Sequence, residues 1–374
     1  MLSRKEAYLN CAYMSPLLKK VENAGKQGIS LKRRPNKISA NDFFRDTDKI
    51  RHHFSELINC DQHDRIVTIP SVSYAMANIT HNIKITKGEN IVVAGDQFPS
   101  NIYPWMRLCD ETGATLKIIS SPDTLQNRGL KWNSEILSSI DKNTRLVAIS
   151  HVHWADGTFF DLVNMRRITK EIGALLVIDG TQSVGALPFD VKEINPDALV
   201  CAAYKWLLGP YSIGLAYFGK AFDVGIPIEE NWINRHNSED FANLVNYNKD
   251  YRKGALRYEV GEHSNFILTP MLLASIKQIQ QWGPENIQAY CRKLISEPIE
   301  ELRNLGLFIE KDDQRSAHLF GVKISSERQE ALKKSFKKNR VNVSFRGDFV
   351  RVSPNVYNDE MDMKRFVNSF KQIF

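Results

Sequence analysis

The sequence predicts an α/β fold: a large, mainly parallel sheet domain followed by a smaller α+β domain. Three observations predict it. Seven short apolar runs recur between residues 65 and 218. Amphipathic stretches separate most of them, and the pattern changes over about the last hundred residues.

The runs at 65–69, 90–94, 115–119, 144–149, 174–178, 198–202 and 213–218 read as strands. Most are continuously apolar rather than alternating, the pattern of strands covered on both faces. Between them lie helical stretches such as 161–173, where Asp161 caps the start and Gly173 the end. Sheets of this kind bind ligands at the carboxyl ends of their strands. Beyond residue 265 the order becomes helix 269–282, helix 285–305, strand 318–324, helix 327–338, strands 341–345 and 349–352, and a helix from 359 onward. The expected organisation is an irregular N-terminal arm over 1–40, a large domain over 41–265 and a small domain over 266–374. The arm is expected to cross the cleft or reach a partner subunit.

At 374 residues the chain is long enough for two cores. Hydrophobic residues make up 43% and charged residues 25%, as in ordinary globular proteins. No stretch approaches the roughly 18 apolar residues of a membrane helix, and the start lacks an apolar signal core. The expectation is a cytoplasmic protein with no membrane partner. Five scattered cysteines without a CxxC pair argue against a disulfide framework or a zinc site. The net charge is +7, but the basic residues are spread out and are not interleaved with aromatics, so no nucleic-acid partner is expected. Neither GxGxxG nor GxxxxGK[ST] occurs, which leaves dinucleotide and P-loop readings without support.

Two strand ends carry chemistry. Leu175-Leu176-Val177-Ile178-Asp179-Gly180 ends an apolar strand in a carboxylate. Such a group is costly in a cleft without a positive partner, and a pyridinium nitrogen is one such partner. A turn or cap aspartate gives the same pattern. Cys201-Ala202-Ala203-Tyr204-Lys205-Trp206 places a lysine after another buried strand. An apolar setting lowers a lysine's pKa and makes it a nucleophilic amine. A surface lysine lying along apolar neighbours is the alternative.

Together with Ser150-His151-Val152-His153-Trp154-Ala155-Asp156-Gly157 and Arg351-Val352-Ser353-Pro354-Asn355-Val356-Tyr357-Asn358, these stretches resemble one family. It is the class V aminotransferases of the fold type I pyridoxal-5′-phosphate (PLP) enzymes. The group includes cysteine desulfurases, kynureninases and isopenicillin N epimerase-like proteins. The resemblance implies PLP held as a Schiff base on Lys205, which also shuttles the Cα proton. It implies Asp179 at the ring nitrogen, Gln182 at the phenolic oxygen or the aldimine, and Phe98 stacked on the ring. His153 stands where relatives often carry asparagine near the same oxygen, which makes a stacked or polar cofactor contact one reading and a packed histidine the other. The Val72 amide and Ser73, at a helix start, are implied phosphate donors, with Tyr204 a further one. Arg351 is implied to take the substrate α-carboxylate. Arg257 falls in the loop that in relatives reaches the neighbouring subunit's phosphate. Glu262 there would repel a phosphate, so Ser264 or Asn265 stands in for it. A homodimer is a further implication.

The reaction is less constrained. Residues 342–350 hold no cysteine, which disfavours a persulfide-forming desulfurase; Cys11 is the remaining candidate. The expectation is a class V enzyme acting on an α-amino acid, closest to the epimerase and cysteine-lyase-like branch. A kynureninase-like hydrolase or a selenocysteine/cysteine lyase is the alternative. A non-catalytic PLP- or ligand-binding protein is the alternative of another class.

Overall fold

The computed structural model describes residues 2–374. The strands are β1 (Ala7–Tyr8), β2 (Ile66–Ile69), β3 (Asn90–Ala94), β4 (Thr115–Ile119), β5 (Thr144–Ser150), β6 (Leu175–Asp179), β7 (Ala198–Ala202), β8 (Gly214–Phe218), β9 (Phe320–Lys323), β10 (Val341–Asn342), β11 (Ser344–Arg346) and β12 (Phe349–Val352). The α-helices are α1 (Lys19–Lys32), α2 (Arg45–Leu57), α3 (Val72–His81), α4 (Tyr103–Thr112), α5 (Arg128–Ser139), α6 (Leu162–Ile172), α7 (Val191–Ile194), α8 (Leu268–Trp282), α9 (Pro284–Asn304), α10 (Ser326–Asn339) and α11 (Glu360–Lys371).

Seven strands form one sheet in the order β2-β8-β7-β6-β5-β3-β4. Only β8 runs against its neighbours. The continuous apolar runs have a direct cause. Along β3, Ile91 and Val93 enter one core while Val92 and Ala94 enter the other. Along β6, Val177 faces the first and Leu176 and Ile178 the second. Period two thus feeds two layers at once. The edge strand β4 is half-exposed, and its Lys117 pairs with Asp141 at 2.7 Å, a charge that suits an open edge. Asp161 caps α6 by accepting from the Asn164 amide, and Gly173 closes it at φ 72°.

A three-stranded antiparallel sheet, β11-β12-β9, carries the small domain. Its core draws on α9, α10 and α11. The expected boundary at 265/266 falls just before α8, which serves both cores: Leu272, Leu273 and Ile276 enter the large one and Ile279 the small one.

The N-terminal arm differs from its expectation. β1 pairs in parallel with β10, and Ala7, Leu9, Cys11 and Ala12 are buried in the small domain's core. The stretch after it is a regular helix, α1, packed on α8. Gly25 and Gly28 permit the close approach. A Cβ on Gly25 would lie 2.7 Å from Met271 Sδ.

Candidate active site

A cavity of about 310 Å³ opens at the carboxyl edge of the large sheet. Asp179 ends β6, Ser150 ends β5 and Ala202 ends β7; all three line it. Pro70 follows β2, Gln97 follows β3, and Ile213 precedes the reversed strand β8, so they reach the same edge. The turn after β6 is tight. Gly185 has φ 101°, and a Cβ there would lie 2.6 Å from the Trp206 carbonyl oxygen. That turn sets Thr181 and Gln182 into the cleft wall.

Lys205 and Asp179 face the same cavity. Burial lowers the Lys205 pKa to about 8, with the charges of Arg351 and Arg346 acting in the same direction and Asp179 against them. Its Nζ lies 5.3 Å from the Phe98 ring centroid and 5.5 Å from that of Tyr204. Burial raises the Asp179 pKa, and bonds from Thr181 hold it down. The Thr181 amide donates to Oδ1 at 2.9 Å. No arginine, lysine or histidine forms a salt bridge with Asp179 among the described residues. Gln182 is fixed by Trp206 Nε1, which donates to its Oε1 at 2.9 Å.

The start of α3 forms another wall. Ser71 is its N-cap and accepts from the Tyr74 amide. The amides of Val72 and Ser73 sit in the first turn, where no intrahelical acceptor exists. Ser73 Oγ donates to Ser100 Oγ at 3.1 Å, and both serines line the cleft. Tyr204 also lines it, in contact with Tyr211 at 4.6 Å between ring centroids.

Arg351 lies on β12 behind Trp154, to whose carbonyl its Nη1 donates at 3.0 Å. It is 1% exposed, yet its Nε and Nη2 have no partner. Burial is the first cause lowering its pKa to about 9, and Arg346 adds to it. A guanidinium in that state is set up for an anion.

His153 takes the packed alternative instead of a place in the cavity lining. Its Nδ1 meets Asp156 Oδ1 at 3.0 Å and its Nε2 meets the Asp96 carbonyl at 3.1 Å. Both ring nitrogens are thereby engaged by protein groups. Asp156 also binds Arg128 at 2.7 Å, and this buried network holds the histidine away from the cavity lining. Its neighbour Trp154 lines the cavity instead, edge-on to Phe98 at 5.5 Å. Arg257, Glu262, Ser264 and Asn265 do not line this cavity either. Arg257 donates to the Gly254 and Gly225 carbonyls, and Asn265 accepts from the Ile267 and Leu268 amides at the start of α8.

Ser150, Trp154, Ser100 and Tyr211 are site residues that the sequence reading did not single out. Ser150 Oγ is buried, unpartnered and in the cavity wall. Its position as the last residue of β5, level with Asp179 across the ladder, was the available signal.

A family model described as aminotransferase class-V matches residues 18–366. The chain belongs to the class V aminotransferase family. An uncharacterized aminotransferase of Bacillus subtilis (strain 168) is 26% identical over 328 residues, which cover 86% of this chain and 82% of the relative. A probable cysteine desulfurase of Pyrococcus abyssi is 31% identical over 241 residues, 64% of this chain and 56% of the relative. Among solved structures, the cystine C-S lyase C-DES in complex with cysteine persulfide superposes with TM-score 0.87 at 18% identity. The match covers 99% of this chain and 98% of that one. The apo cysteine desulfurase of Thermococcus onnurineus NA1 gives 0.83 at 20% identity, covering 98% and 94%.

The cofactor of this class V chain is PLP, and the site fits it. The fit rests on three local features: a buried carboxylate without a salt-bridge partner, a buried lysine of depressed pKa, and the unpartnered Ser150 hydroxyl, all on one cavity. Among the described residues no helix is long and apolar enough to cross a membrane.

Proposed function

We propose that this class V enzyme acts on an α-amino acid, in the manner of the epimerase and cysteine-lyase-like branch, without a cysteine nucleophile. The single observation that carries the reading is Arg351: a fully buried guanidinium with two unpartnered nitrogens, behind Trp154 in the cavity wall. An α-carboxylate would satisfy both in bidentate fashion.

The remaining roles follow from position. Lys205 would hold the cofactor, with Asp179 at the ring nitrogen, Gln182 near the phenolic oxygen and Phe98 and Trp154 against the ring. The Val72 amide, Ser73 and Tyr204 would take the phosphate. Bound PLP supplies an electron sink for the bonds at Cα. Arg351 orients the amino acid by its carboxylate, and the Lys205 amine accepts and returns the Cα proton. Asp179 keeps the far end of the cavity negative, and the aromatic walls exclude water.

The cysteines support a route without a persulfide. None of the five lines the cavity. Cys11 lies behind the site, with Sγ 3.9 Å from the Lys205 carbonyl. Burial pushes its thiol up to about 11, so it is neutral at physiological pH and a poor nucleophile. A kynureninase-like hydrolase is the second reading, favoured by Phe98 and Tyr204 both lining the cleft next to Lys205.

Arg351→Gln tests the proposal. Removing one partner of a buried, hydrogen-bonded charge pair costs about 2 kcal/mol or more, so amino-acid affinity should fall about 30-fold or more. The readout is the amino-acid-induced change in the PLP absorbance spectrum, with PLP affinity titrated alongside. Unchanged amino-acid affinity in the variant would remove Arg351 from the substrate site.

A further inference from the structure

Arg351 is not the only unpaired cation at this end of the cleft. In the small sheet Ser344 pairs with Arg351 and Arg346 pairs with Phe349. Side chains alternate along each strand, so Arg346 and Arg351 lie on one face as diagonal neighbours. Both guanidinium groups approach the same Trp154 ring, at 5.4 Å for Arg346 and 5.8 Å for Arg351. Trp154 is a wall of the cavity.

Neither arginine has a carboxylate partner. Arg351 donates only to the Trp154 carbonyl. Arg346 donates only to its neighbour's carbonyl, at 2.7 Å to Phe345 O, and its Nε is buried without a partner. Two adjacent guanidinium groups disfavour each other, and burial sharpens the cost. One α-carboxylate satisfies Arg351 and leaves Arg346 unmatched. Arg346 is half-buried behind the Trp154 wall, and its buried Nε is left without an acceptor where a second anion could sit.

We infer that the substrate is an amino acid whose side chain ends in an acidic group, with Arg346 as the residue that selects it. This rests on the reading of Arg351 as the α-carboxylate anchor. A side-chain carboxylate, held by Arg346 near the Trp154 rim, would neutralise the second charge. An amide isostere could accept a hydrogen bond there but would leave the charge in place.

The test uses the PLP-loaded full chain and reads the spectral change on titration with L-aspartate, L-asparagine, L-glutamate and L-glutamine. The acidic member of at least one pair should bind about tenfold tighter than its amide, the scale of one charge-assisted contact. Arg346→Gln should bring that ratio close to one, and Arg351→Gln should weaken both members of the pair. Arg346→Lys, which keeps the charge, should retain part of the preference. Equal or better binding of both amides by the unaltered protein would overturn the inference while leaving the amino-acid reading intact. An Arg346→Gln protein that keeps the full preference would also overturn it. No response to any of the four, or to L-alanine and L-cysteine added as neutral controls, would overturn the amino-acid reading and this inference together. Melting temperatures of the two glutamine variants, measured beside the unaltered protein, separate a lost contact from a lost fold.

Discussion

Lys205 shows how one residue's surroundings set its chemistry. An exposed lysine has a pKa near 10.5, and burial here brings it to about 8. The sign matters: the neutral, nucleophilic amine gains population as pH rises through that value. At pH 7 roughly a tenth of the amines are neutral, against roughly one in three thousand for an ordinary lysine. Capture of added PLP as a borohydride-stable adduct should therefore rise to about pH 8 and level off above it. A yield that keeps climbing towards pH 10 would contradict a buried amine. Lys205→Ala should lose the adduct, and a label found on another lysine would reassign the attachment. The residue types at Asp179 and Lys205 were legible in the sequence because each terminates an apolar run. The place of His153 was not, because its ring is claimed by the Asp96 carbonyl, remote in sequence, and by the nearby Asp156 carboxylate, which the distant Arg128 steadies. The same holds for the Arg346–Arg351 face, which exists only once β11 and β12 are paired in register.

At the scale of elements, α3 offers a test that leaves its helix intact. Val72 is the first residue of α3, and Ser71 before it is extended at φ −162°, ψ 159°. Proline is accepted at a helix's first position, and an extended predecessor suits it. Val72→Pro should thus keep the fold and delete one amide donor. If that amide contributes a charge-assisted bond to the phosphate, PLP affinity should drop about tenfold with little change in melting temperature. An unchanged affinity would place the phosphate elsewhere. The strands of the large sheet were legible almost to the residue: β3, β4 and β7 fall where the apolar runs begin and end. Their pattern is local and period two feeds two cores. The helix α1 was not legible, because its face against α8 is built from Gly25 and Gly28, and small residues carry no apolar signal. The segment before it read as an irregular arm crossing the cleft or reaching a partner subunit. It is buried because β10, more than three hundred residues later, supplies its hydrogen bonds.

On the scale of the whole molecule, buried charges tie together parts remote in the chain. Arg128, at the start of α5, binds Asp156 at 2.7 Å and lies 3.6 Å from Glu310, which precedes the small sheet. The segment between β8 and α8, in contrast, presents apolar side chains to solvent. Val224 is 89% exposed, Val245 78% and Tyr247 96%. We propose that a second copy of the chain covers this surface, the homodimer that the family resemblance implies. Scattered exposed apolar residues are ordinary on a monomer, so their concentration in one excursion is the relevant observation. An interface of about 1,600 Å² would be needed for a stable pair, and large apolar groups such as these are what its centre requires. Sedimentation equilibrium should then give twice the 42.8 kDa chain mass. Replacing Val245 and Tyr247 together by glutamate should shift the mass towards one chain, since buried unpaired carboxylates are costly. The single-chain mass for the unaltered protein would mean that the segment serves another purpose. An unaltered dimer in the double variant would place the interface on a different face.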